Sequence, residues 1–69
     1  MVEVFKTNIT NPTEAEQLLQ KLNGYYPQSK INFDLEDCDN ILRFEGQHIN
    51  ANQIIHVVKS FGYVCDVLE

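Results

Sequence analysis

The side chains with the most chemistry to offer are two cysteines, Cys38 and Cys65, and two histidines, His48 and His56. Thiolate sulfur and imidazole nitrogen hold soft and borderline metal ions and act as nucleophiles, so spacing decides what these groups can do together. The cysteines lie 27 positions apart, which is no short chelating pair, and two are too few for a disulfide-built secreted scaffold. Cys38 stands between Asp37 and Asp39, whose charges disfavour the thiolate. Cys65 reads as a small hydrophobe on a strand. The histidines are eight positions apart and share no helical face with a third ligand, so no zinc site is expected. Asn11 and Glu14 offer oxygen, but a calcium site gathers about six or more oxygens, and both residues suit a helix cap better. Paired carboxylates in a pocket, a Cys-His arrangement and a Gly-rich phosphate loop are all missing from the sequence. Neither catalysis nor a cofactor is expected.

The elements that must position these groups follow from periodicity and punctuation. Val2 to Thr7 reads as a first strand. Asn11 as N-cap, Pro12 in the first turn and Glu14 three residues after the cap start a helix. Ala15, Leu18, Leu19 and Leu22 continue it as one apolar stripe. Asn23-Gly24 is expected to end that helix, with Gly24 in the left-handed cap conformation. Tyr25-Tyr26-Pro27-Gln28-Ser29 then forms a connector whose tyrosines are expected to pack under the helix, the alternative being a place in an interface. Ile31, Phe33 and Leu35 alternate with polar residues as a second strand, 31–35. A polar turn over 36–40 leads to a third strand, 41–45, with Leu42 and Phe44 inward and Ile41, Arg43 and Glu45 outward. Asn50 and Gln53 repeat the cap, Ile54, Val57, Val58 and Phe61 form a second stripe, and Gly62 closes it. Residues 63–68 supply a last strand.

Strand, helix, strand, strand, helix, strand, joined by right-handed crossovers, predicts an α+β fold. It is a ferredoxin-like βαββαβ sandwich in which two helices cover one face of a four-stranded antiparallel sheet of order 4-1-3-2. This topology brings the loop after strand 1, the hairpin tip after strand 2 and the turn before strand 4 to one end, and His48 to the other. Cys38 and Cys65 then stand two to three strand spacings apart, roughly 10–14 Å. That exceeds the limit of about 7 Å between α-carbons for a disulfide.

With 69 residues the chain makes a single domain with a small core. A hydrophobic fraction of 43% suffices for a packed globule and is too high for a disordered tail. Apolar runs are short, so no membrane span is expected and a cytoplasmic location is. A net charge of −5, with only five scattered basic residues, disfavours nucleic acid, whose binding depends on neutralising phosphates.

Three stretches together resemble the heavy-metal-associated domains of copper chaperones and metal-transporting ATPases, and the resemblance runs over essentially the whole chain. Phe5-Lys6-Thr7-Asn8-Ile9 is similar to the strand entering that family's metal loop, with Ile9 where a Met often stands. Phe33-Asp34-Leu35-Glu36 followed by Ile41-Leu42-Arg43-Phe44-Glu45-Gly46 resembles the family's V-D-L-E … I-L-T-V-E-G hairpin. Val57-Val58-Lys59-Ser60-Phe61-Gly62-Tyr63 resembles its V-K-x-x-G-Y/F ending. The resemblance implies the fold given above and a Met-x-Cys-x-x-Cys loop that passes Cu(I) between partners. The departure falls on that motif. If Ile9 takes the Met position, the cysteine positions hold Asn11 and Glu14, and if the helix ends are matched they hold Asn8 and Asn11. Neither register supplies a thiol.

The function expected is therefore that of a non-enzymatic binding module that has lost soft-metal binding and meets a protein partner or a second copy of itself. Its expected contact surface is Asn8, Ile9, Thr10, Asn11, Pro12 and Tyr63, because the family meets its partners through that end. The edge strands 2 and 4 offer further unpaired backbone, although Lys30 and Asp34 on strand 2 oppose pairing. The alternative is a metal-handling protein with unusual ligands. A weaker third reading, nucleic acid or a small ligand on the open sheet face, lacks the aromatic platform such readers use, since Ile41, Arg43 and Glu45 face outward.

Overall fold

Apolar side chains at alternate positions make the strands, and the face they share makes the core. In a computed structural model describing residues 1–35 and 40–68, β1 (Val2–Thr7), β2 (Lys30–Asp34), β3 (Ile41–Glu45) and β4 (Cys65–Val67) form one antiparallel sheet. Its order is β2-β3-β1-β4, which is the expected 4-1-3-2 read from the other edge. Helices α1 (Pro12–Tyr25) and α2 (Ala51–Ser60) complete the βαββαβ chain order and give the ferredoxin-like arrangement.

From the sheet, Phe5, Ile31, Leu42, Phe44 and Cys65 enter the core, meeting Ala15, Leu18 and Leu22 of α1 and Ile54 and Val58 of α2. Removing each large side chain of this set from water contributes about 1.5–3 kcal/mol. Phe44 is the hub: its ring meets Phe5 edge-on at 6.1 Å and Tyr26 edge-on at 5.4 Å between centroids, the geometry that aromatic quadrupoles favour. The opposite face of β3 carries Arg43 and Glu45, both exposed. Ile41 on that face is buried, flanked in register by Lys6 and Asp34.

The helices begin where the capping chemistry places them. The Asn11 side-chain oxygen accepts from the backbone N–H of Thr13 at 2.8 Å and of Glu14 at 3.4 Å, and that of Asn50 accepts from Gln53 at 3.1 Å. Helix α2 ends as expected, with Gly62 at φ +95° donating to the Lys59 carbonyl. Helix α1 does not. Gly24 stays helical, the helix runs on to Tyr25, and the Tyr26 N–H closes it on the Leu22 carbonyl at 2.8 Å. The cause is Tyr26, whose ring packs on Phe44, so the last turn is held by tertiary contact rather than by a glycine cap.

The last strand is shorter than the expected 63–68, because the Val64 N–H is taken by a side chain instead of a strand. The hairpin turn expected over 36–40, with Cys38, lies outside the described residues save for Asn40. Among the described residues no helix is long and apolar enough to cross a membrane.

Candidate functional site

The loop from β1 into α1 is built from short polar side chains that bond backbone rather than one another. Thr7 ends β1, and its hydroxyl donates to the Asn40 carbonyl at 2.7 Å while accepting from the Ile9 N–H at 3.2 Å. The Thr7 N–H donates to the same carbonyl at 3.2 Å. Asn40 itself sits at φ +50°, a left-handed conformation that asparagine tolerates better than most residues. The Asn8 side-chain oxygen accepts from the Val64 N–H at 2.9 Å, a tie across 56 positions. Asn11 is occupied as the cap of α1. Three segments distant in sequence are thereby joined at one end of the sheet, as the topology predicts.

Of the expected contact residues, Asn8, Thr10, Asn11 and Pro12 are exposed, and Tyr63 is half-buried against the core. Ile9 is the exception. Its side chain has no exposed surface and belongs to the core, so it pins the loop down and touches no partner. Val64, which sequence reasoning did not single out, lies at the same end and is 51% exposed. Alternation could have found it, since Cys65 faces inward and its neighbour must face out.

Cys65 stands opposite Thr7 in the β1–β4 register, close to the loop, but its sulfur is inaccessible. Burial, with a smaller contribution from the Asp66 carboxylate, pushes its thiol pKa up to about 12, against a slight lowering by Lys59. A thiol in that state is neither a ready nucleophile nor a ready ligand. The loop residues do not fit a soft cation either: they offer amide and hydroxyl oxygens, and the side-chain oxygens of Thr7, Asn8 and Asn11 already accept from backbone N–H groups. Among the described residues no three of the His, Cys, Asp and Glu side chains lie grouped as a metal site.

The remaining candidates are dispersed. His56 is exposed on α2, and His48 lines a shallow groove at the far end with Tyr26, Pro27 and Gly46. Tyr26 is half-buried in the aromatic cluster, and burial raises its phenol pKa. Tyr25 is 62% exposed and leans on Phe61 at 6.2 Å, where Lys21 also sits 4.7 Å over the Phe61 ring. Compared with family models, curated proteins and solved structures, the chain finds no match in any of the three.

Proposed function

We propose that this chain is a non-enzymatic binding module of the heavy-metal-associated type, one that has lost soft-metal transfer and acts in the cytoplasm through protein–protein contact at its loop end. The observation that carries this reading is how the loop uses its polar atoms. Thr7, Asn8 and Asn11 bond the backbone of three separate segments, while Thr10, Pro12 and Val64 remain outside. A surface held in place before it meets a partner loses less conformational freedom on binding. The family resemblance supports the same end of the molecule, since its members dock there. The alternative of metal handling through unusual ligands is weakened by the burial of Cys65.

The test compares affinity capture by the natural chain with capture by the Thr10→Arg/Val64→Arg variant, both positions being exposed. A partner retained by the natural chain and lost from the variant, with both equally folded by circular dichroism, is the expected result. Identical captured sets would refute the assignment of the surface.

A further inference from the structure

The sheet leaves two edges, β2 and β4, and the hydrogen-bond parity shows which backbone groups each one presents. Thr7 N–H donates to Asn40, and Gly46 N–H donates to Met1. Even-numbered residues of β3 therefore bond β1, and Ile41, Arg43 and Glu45 bond β2. Through the β2–β3 register, Lys30, Asn32 and Asp34 are the residues of β2 turned toward β3. Ile31 and Phe33 consequently direct their N–H and C=O groups out of the sheet. The same reasoning on β4, from the Leu68 N–H donating to Val4, leaves Cys65 and Val67 facing out.

We propose that two copies of this chain associate by antiparallel pairing of their β2 edges about a two-fold axis at Asn32, forming one continuous sheet. It concerns a different surface from the loop end and does not rest on that reading. The β2 sequence Lys30-Ile31-Asn32-Phe33-Asp34 is charge-complementary to itself when reversed. Centred on Asn32, Lys30 of each copy stands opposite Asp34 of the other, and Ile31 stands opposite Phe33. The outward groups of Ile31 and Phe33 then exchange main-chain hydrogen bonds in two reciprocal pairs, so every backbone group this edge presents is used.

A closed two-fold interface needs this kind of self-complementarity. Asp34 is already engaged within its own chain, and a carboxylate has lone pairs for an additional donor. Each Lys30 would lie between its own Glu45 and the second copy's Asp34, which turns the charges that blunt the edge toward strangers into a pairing code. On the helix side, a groove along α1 and β2, in which Leu19, Phe33 and Leu35 are only partly buried beside Glu16, borders the same edge, and its apolar part gains cover from the second copy. Edge β4 lacks this property. Self-pairing about its middle residue sets Asp66 against Asp66, and like charges directly opposite are destabilising.

The test is sedimentation equilibrium of the natural chain from micromolar to millimolar concentration, with amide hydrogen exchange at both extremes. Expected are a monomer–dimer equilibrium and protection of the Ile31 and Phe33 amides that rises with concentration, while Asn32 is protected throughout. The Asn32→Asp variant places like charges on the axis but sets the new carboxylate opposite Arg43 of its own chain, so the fold is kept and association weakens roughly fivefold. A chain that stays monomeric, a dimer indifferent to Asn32→Asp, or protection arising at Cys65 and Val67 instead would each overturn the proposal.

Discussion

The inertness of Cys65 is open to a quantitative test. With its thiol pKa pushed from the ordinary value of 9.0 up to about 12, about one molecule in 100,000 carries the thiolate at pH 7, against roughly one in 100 for an unperturbed cysteine. Reaction of the folded protein with a thiol reagent is therefore slowed about a thousandfold by protonation alone, before any steric exclusion. Labelling through transient unfolding runs in parallel. A domain stable by about 5 kcal/mol is open a few times in ten thousand, which gives a comparable slowing. The assay is stopped-flow or manual kinetics with an aromatic disulfide on a Cys38→Ser variant, so that Cys65 is the one thiol left. Native labelling should be at least a hundredfold slower than in denaturant. A native rate within tenfold of the denatured rate refutes the burial argument, and with it the reason for discounting sulfur at the loop end.

Alkaline stability follows from the same group. The unfolded chain loses the Cys65 proton near the ordinary value of 9.0 whereas the folded chain keeps it to about 12, so the native state binds more protons and stability falls as pH rises between those values. The slope from this group approaches about 1.4 kcal/mol per pH unit, and it should vanish from urea titrations of Cys65→Ala, in which the Tyr26 contribution remains. Asn8→Ala removes the acceptor of the Val64 N–H and should lower stability by about 1 kcal/mol, read as a lower urea midpoint at unchanged slope. Asn11→Ala should cost about 1 kcal/mol through the lost cap, while Asn11→Asp keeps the acceptor and should be close to neutral. Phe44→Ala empties the aromatic hub between Phe5 and Tyr26 and should cost about 3–5 kcal/mol, most of the stability such a domain holds, read as a urea midpoint brought close to zero.

Strands and helix starts were legible because they depend on neighbours a few positions away. Alternation in Ile41-Leu42-Arg43-Phe44-Glu45 places β3 to the residue, and Asn11 and Asn50 mark both helix starts through bonds that reach no further than three residues. What could not be read was set by distant partners. Gly24 looks like a terminator, yet Tyr26 finds Phe44 and the helix continues. Ile9 is a lone apolar residue in a polar loop, with no periodicity to say that it turns inward. The Asn8–Val64 bond closes over 56 positions, and no local pattern announces it. The loop end was legible as a place through topology, and its chemistry only as a lack of thiols.

The central claim, that this loop end offers a soft ion no sulfur, is tested most directly by Cu(I) titration against a competing chromophoric chelator under reducing conditions. The natural chain is compared with Cys65→Ala and with two variants that introduce a thiol pair, Asn8→Cys/Asn11→Cys and Asn11→Cys/Glu14→Cys. The natural chain should leave the chelator's copper untouched, and one introduced pair should withdraw one equivalent. One equivalent taken by the natural chain and lost in Cys65→Ala would contradict the account.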